Sequence, residues 1–460
     1  MKNPDKIWGG RFSQKTASLM EEFSYSIAYD QKLFVADIAV NKAWAQALVQ
    51  AGIYTDQEAA QIGEALECIQ KDFLAGELTF SPRDEDIHSA NERWLTERSG
   101  DLGARIHTGR SRNDQVVTDL RIYLRGQADL LRDALCNVQQ VLTATAQQHI
   151  ETIFPGQTHL RQAQPVSLAH YFLALVFQLQ RDKERLLDAR QRMNKMPLGS
   201  GAIAGAAFTI DRLKLAKELG FDAPTENSYD ATSDRDFVIE LLYVCAQIML
   251  HLSRIAEDLI IWSSEALRFV EINEQYATGS SMMPQKKNPD SLELIRGKSA
   301  RVIGQLVTGL TLMKGIPTAY VRDLQEDKEP VFDAMQQTIL SVQIMSGVLS
   351  TIVINRQKMT AALDPALYAT DVADYLVRKG MPFRKAHGVV GSLVSMAEKQ
   401  QVALSKLDLH DYQSISPLFE QDLYLLFDPL ASVNRRNISG GTGTQSIQQQ
   451  LLLAEDLINA

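Results

Sequence analysis

FVIELLYVCAQIMLHLSRIAEDL, residues 237–259, is the stretch that decides the fold. Leu241, Leu242, Val244, Cys245, Ile248, Met249, Leu252 and Ile255 fall around most of the circumference of a helix. A helix that is apolar all round must be covered by other helices or by a subunit interface. Towards the N-terminus, Val116, Leu120, Tyr123, Leu124, Leu131, Leu135, Val138 and Leu142 recur at three- and four-residue steps, the helical period. No proline falls between Pro82 and Pro155, between Pro224 and Pro284, or between Pro330 and Pro365, so nothing there interrupts a long helix. Segments 168–190, 291–313 and 331–353 repeat the pattern, and alternating β-branched runs are almost absent. The chain is expected to be all-α.

At 460 residues it exceeds the size at which one hydrophobic core usually stops growing. Three parts are expected: an N-terminal helical domain over 1–111, a central long-helix bundle over 112–361, and a C-terminal helical domain over 362–460. The stretch around 100–112 and the Ala362-Leu363-Asp364-Pro365 turn mark the boundaries. A hydrophobic fraction of 45% is ordinary for a globular protein, and no run of roughly 18 unbroken apolar residues suggests a membrane span. The first residues, MKNPDKIWGGRF, are polar where a secretory signal would be apolar, and Cys68, Cys136 and Cys245 are too scattered for a disulfide framework. A cytoplasmic location fits. The net charge of −9 argues against a nucleic-acid binder, so an anionic ligand would need a local cluster of cations.

Several segments could supply one. In His107-Thr108-Gly109-Arg110-Ser111-Arg112-Asn113-Asp114-Gln115, Ser111 and Asp114 have capping-box spacing. The segment reads as a well-capped helix or, given Arg110, Arg112 and Asn113 beside a flexible Gly109, as a carboxylate site at a helix N-terminus. Ser233 and Asp236 have the same spacing in Thr232-Ser233-Asp234-Arg235-Asp236, and structural capping is the better reading there, with Arg235 adding positive charge. Gln157-Thr158-His159-Leu160-Arg161-Gln162-Ala163-Gln164-Pro165 is a polar patch between helices, its proline suited to a first helical turn. A lone histidine is more often structural than catalytic. None of the eight histidines forms a metal-type pair, so no metal is expected, and His159 is the best candidate acid or base. The charged run Tyr320-Val321-Arg322-Asp323-Leu324-Gln325-Glu326-Asp327-Lys328-Glu329 is a solvated turn unless Tyr320, Gln325 and Lys328 point inward.

The most unusual segment is Gly279-Ser280-Ser281-Met282-Met283-Pro284-Gln285-Lys286-Lys287-Asn288-Pro289. A capped surface loop explains its serines, prolines and asparagine but not two methionines beside two lysines. A loop that closes over an anionic ligand and excludes water explains them all.

These motifs resemble the fumarase/aspartase superfamily, whose hallmark loop GSSxMPxKxN is matched from Gly279 to Asn288. Within it, the chain is similar to the argininosuccinate lyase family over nearly its whole length, through WGGRF at 8–12, SIAYD at 26–30, DEDIH at 84–88, HTGRSRNDQ at 107–115, TSDRDF at 232–237 and DLQEDKE at 323–329. The resemblance implies a three-domain fold with a long central helical bundle, a homotetramer with active sites shared among three subunits, and a cofactor-free elimination of fumarate from argininosuccinate. It also implies roles. Ser280 would be the base, Lys286 would stand beside the developing charge, and His159, paired with Glu293, would bear on proton donation or substrate orientation. Ser26, Arg112, Asn113, Thr158, Asn288, Tyr320, Gln325 and Lys328 would hold the substrate. A sister lyase acting on adenylosuccinate, aspartate or malate is the nearest rival, and a crystallin-like structural protein on the same fold is another.

Overall fold

A computed structural model describes residues 14–459, so the WGGRF string lies outside the described residues. Five long helices dominate: α1 (Arg112–Gln148), α2 (Leu168–Met193), α3 (Asp236–Ser263), α4 (Asp290–Met313) and α5 (Lys328–Thr351). Each covers a segment whose period or freedom from proline foretold it. Pro330 sits at the third residue of α5, in the first turn, where a helix tolerates a missing N–H. The strands among the described residues form four two-stranded pairs, so the fold is all-α.

All eight apolar positions of α3 named above are at most 1% exposed. By length and composition α3 could cross a membrane, yet 61% of its most apolar window is buried within the protein, as in a core helix. Gly309 of α4 allows close approach to it: a Cβ there would come within 2.7 Å of the Leu242 side chain and 2.8 Å of the Ile239 side chain.

The chain divides into two compact units. The first comprises residues up to Arg132, Glu184–Gln247 and Ala300–Ile339; the second comprises Asp133–Lys183, Ile248–Ser299 and Leu340 onward. This division follows packing and joins stretches distant in sequence, whereas the three consecutive segments expected from sequence follow the stretch around 100–112 and the turn at 362–365. In the first unit, helices Phe34–Gln50, Asp56–Leu74 and Ile87–Ser99 pack around Phe34, Phe73 and Trp94, with the two phenylalanine rings stacked at 3.7 Å. In the second, Val372, Leu376, Leu393, Tyr412, Phe419 and Leu423 form part of a core of shorter elements.

The expected first helical turn at Pro165 is corrected. Pro165 lies in an antiparallel hairpin of β1 (Ile153–Thr158) and β2 (Arg161–Ser167), opposite Pro155, and α2 begins only at Leu168. Facing prolines leave no strand donor unpaired at that step, and Gly156 makes room for the Val166 side chain.

Gly347 of α5 is packed directly against the Tyr276 hydroxyl, so a methyl group there would overlap it. Gly347→Ala is therefore expected to destabilise the protein by about 1–3 kcal/mol through overpacking. A thermal melt reads this; an unchanged midpoint would mean that Tyr276 moves aside freely.

Candidate active site

In the first unit, the N-terminus of α1 is closed by reciprocal hydrogen bonds. The Asn113 amide donates to Ser111 Oγ at 3.2 Å, and the Ser111 amide donates to Asp114 Oδ1 at 3.1 Å. The capping reading of this segment holds, and the guanidinium of Arg112 beside it is already paired within the chain. Arg112 Nη1 lies 2.8 Å from Asp86 Oδ1, and its Nη2 lies 3.5 Å from Glu92 Oε2. A cleft of about 420 Å³ is lined by Ser26, Asp86, His88, Arg110, Arg112, Tyr320, Gln325 and Lys328, among others. The structure thus brings together Ser26, Arg112, Tyr320, Gln325 and Lys328. Asn113 is turned instead to the Ala202 carbonyl, at 3.3 Å.

Behind the cleft lies a buried ionic network. Asp37 is fully buried and accepts from Asn41 (2.9 Å), His88 (2.8 Å), Asn91 (2.6 Å) and Gln115. Asp119 Oδ2 stands 3.2 Å from the same nitrogen, His88 Nδ1. Burial favours the neutral imidazole, but Asp37 and Asp119 outweigh it and push the His88 pKa up to about 10. Burial raises Asp37 less than His88 and Arg110 lower it, so its carboxyl stays well below the usual range. Burial and the charge on Asp37 hold Asp119 well above that range. Desolvation and the nearby Arg110 and Arg112 push half-buried His107 down to about 4. Asp37, His88 and Asp119 lie close enough to share a metal ion, but His88 Nδ1 already engages both carboxylates and Asp37 accepts from four side chains, so the arrangement suits an ionic network.

The charged run after Tyr320 is not a solvated turn. It forms a 3₁₀ helix, Arg322–Asp327, that leads into α5 with Asp327 and Lys328 buried. Arg235, 1% exposed, donates to Asp327 through Nε and to the Asp234 carbonyl through Nη1 at 2.8 Å. Lys328 Nζ lies 3.0 Å from Asp327 Oδ1. Arg235 thus holds the segment carrying Gln325 and Lys328. The expected Ser233–Asp236 cap is corrected as well: Asp234 Oδ1 accepts from the Asp236 amide at 2.8 Å, while Ser233 Oγ donates to the Asp230 carbonyl at 3.3 Å.

In the second unit, the 279–289 loop is closed at its base by β3 (Thr278–Gly279) and β4 (Lys287–Asn288), paired antiparallel. Ser280 Oγ accepts from the amides of Met282 (3.3 Å) and Met283 (3.0 Å). Met282 is 87% exposed, so in this chain the loop covers nothing with it. A cavity of about 830 Å³ is lined by Met283, Lys286, Asn288 and Glu293 together with residues of the 260–272 segment. Thr158 and His159 stand on the exposed tip of the β1–β2 hairpin. His159 and Leu160 have φ of +56° and +57°, a left-handed pair that costs of order 1–3 kcal/mol per residue and is commonest at functional positions. No hydrogen bond or ion pair between the side chains of His159 and Glu293 forms among the described residues of one chain.

Sequence reasoning missed the 199–205 loop, whose Gly199 and Gly201 amides bind the Asp114 carboxylate. Its signal was there: Gly199, Gly201 and Gly205 within seven residues, all with positive φ. It also passed over Asp37, which carries no local motif.

A family model described as "Lyase" matches residues 10–304, and one described as "Argininosuccinate lyase C-terminal" matches 366–434. The chain is 47% identical to the argininosuccinate lyase of Bacillus cytotoxicus, covering 98% of each. It is 45% identical to a probable argininosuccinate lyase of Schizosaccharomyces pombe, again covering 98% of each. Among solved structures it is similar to an EDDS lyase variant with bound fumarate, with a TM-score of 0.83 at 27% identity, covering 97% of this chain and 91% of that one. A class II fumarase from Schistosoma mansoni shares the fold at a TM-score of 0.74 and 16% identity, covering 89% of this chain and 93% of that one.

The folded pKa of His88 lies above its ordinary 6.5, so its ion pairs contribute fully below about pH 6.5 and fade as pH climbs through about 10. Thermal midpoints measured from pH 6 to 10.5 should fall with rising pH more steeply in the wild type than in His88→Asn. Parallel profiles would remove His88 as the source.

Proposed function

The chain belongs to the argininosuccinate lyase family of the fumarase/aspartase superfamily, carbon–nitrogen lyases that split argininosuccinate into arginine and fumarate, and from that premise we propose how its residues divide the work. Ser280 takes the proton from the carbon next to a succinyl carboxylate. The electron pair moves into that carboxylate, giving a doubly charged aci-carboxylate, and the C–N bond then breaks to expel the guanidino nitrogen and leave fumarate. A serine is a poor base at its ordinary pKa. What supports Ser280 in the role is the pair of amides, Met282 and Met283, that donate to its oxygen, since hydrogen bonds to the charged form favour the alkoxide. Lys286 and Asn288, on the same loop, stabilise the intermediate, a task in which one donor can be worth about 3–4 kcal/mol.

Ser26, Arg112, Asn113, Tyr320, Gln325 and Lys328, with Thr158, hold the substrate. Arg112 and Lys328 offer cations to the substrate carboxylates at the cleft, each oriented there by a carboxylate of the chain, Asp86 and Asp327. His159, paired with Glu293, bears on proton donation to the leaving nitrogen or on substrate orientation. The enzyme is a cytoplasmic homotetramer whose sites draw residues from three subunits. That reading is supported by the exposed, strained hairpin tip at His159 and by Leu294, Val307 and Leu310 of α4, which are 60%, 57% and 53% exposed in a single chain.

Fumarate release from argininosuccinate, followed by absorbance beside adenylosuccinate, aspartate and malate as controls, tests the substrate. Ser280→Ala should lower turnover by at least about 10²–10³-fold while leaving substrate affinity largely intact; near-normal turnover would exclude Ser280 as the base. Mixed tetramers test the shared site. Refolding inactive Ser280→Ala together with inactive His159→Asn should restore roughly a quarter of wild-type activity if each site takes the two residues from different subunits. No recovery would mean that one subunit supplies both.

A further inference from the structure

Asp114 has no role in the reaction scheme, yet few carboxylates in the protein are bound so completely. It is 0% exposed. Oδ1 accepts from the Ser111 amide at 3.1 Å, and Oδ2 accepts from the amides of Gly199 at 2.9 Å and Gly201 at 2.8 Å. Capping α1 requires only the first of these bonds. The other two reach 85 and 87 residues along the chain.

They grip the stem of a loop that could not adopt its path with other residues. Gly199, Gly201 and Gly205 have φ of +89°, +59° and +90°, and a Cβ on Gly201 would stand 3.0 Å from the Gly205 carbonyl oxygen. Arg212 holds the opposite side of the stem, donating to the carbonyls of Leu198 (2.9 Å), Met196 (3.2 Å) and Pro197 (3.3 Å). Beyond the stem, residues 202–205 are exposed, held by Ser228 Oγ, which donates to the Ile203 carbonyl at 2.8 Å, rather than by a core. The Ala202 carbonyl nevertheless receives the side-chain amide of Asn113, and Phe208 packs so closely on Gly109 that a Cβ there would come within 2.7 Å of its ring.

We propose that Asp114 is a positioning residue for substrate binding: by pinning the stem of the 199–205 loop to the first turn of α1, it fixes the Ala202 carbonyl that holds the Asn113 side chain. The proposal rests on the reading of Asn113 and Arg112 as substrate-binding residues. The charged groups facing Asp114 are Arg110 and Arg212. Burial pushes its pKa up to about 6, against the pull of the three amides and Arg110. Below that pH the carboxyl is protonated, and its grip on the loop weakens.

Steady-state kinetics of the full-length enzyme test this. Asp114→Asn should raise KM for argininosuccinate about ten-fold while kcat changes less than about two-fold, the pattern of lost ground-state positioning. Wild-type KM should rise as pH falls through about 6, and this limb should vanish in Asp114→Asn. A variant with wild-type KM, or one that keeps the limb, overturns the proposal. Asn113→Ala separates the two levels: if it leaves KM unchanged, the substrate-binding reading fails, whereas if it raises KM and Asp114→Asn does not, only the role of Asp114 fails. Should Asp114→Asn not fold, Gly201→Ala disturbs the same stem from the other side and should raise KM similarly. An unchanged KM there overturns the proposal as well.

Discussion

A single carboxylate out of reach of water organises the first unit. Asp37 belongs to helix Phe34–Gln50, accepts from His88 and Asn91 on the next helix but one, and accepts from Gln115 on α1. A buried charge is tolerable only when paired and fully hydrogen-bonded, so three helices are obliged to meet at one point in one register. The cleft is assembled from the ends of those same helices. Asp86 caps the second of them and holds Arg112, which opens the third. Displacing Asp37 would therefore disturb the placement of Arg112 as well as the packing of the three helices.

The same logic recurs around Arg235. A guanidinium 1% exposed must be matched by a carboxylate, and Asp327 provides it at the entrance to α5. The demands of a buried ion thus convert a charged run into a fixed element facing inward. Polar groups here serve as locators, while buried apolar residues such as those all round α3 supply the core.

How far the fold could be read from the chain follows from where each signal lies. The long helices were legible because hydrophobic period and freedom from proline are local properties, the 107–115 cap because its spacing is local too, and the 279–289 segment because a capped loop leaves its methionines and lysines unexplained. The hairpin was not, since its two-residue turn is His159-Leu160 where such turns ordinarily show glycine or asparagine. The cap of α3 moved from Ser233 to Asp234 because either spacing satisfies an N-terminal amide and only packing chooses between them. Asp37 was invisible for another reason: its partners His88 and Gln115 lie 51 and 78 residues away, and nothing local announces them.

The apolar girth of α3 also carries a consequence for biosynthesis. As the ribosome extends the chain, α1 and α2 emerge first and α4, which brings Gly309 against Leu242 and Ile239, emerges last of the four. For the interval in which residues 264–313 are still being made, a helix with the composition of a membrane span lacks that cover. Elongation through that window leaves the nascent polypeptide open to aggregation and to mistaken capture by a bilayer, and gives a chaperone something to protect.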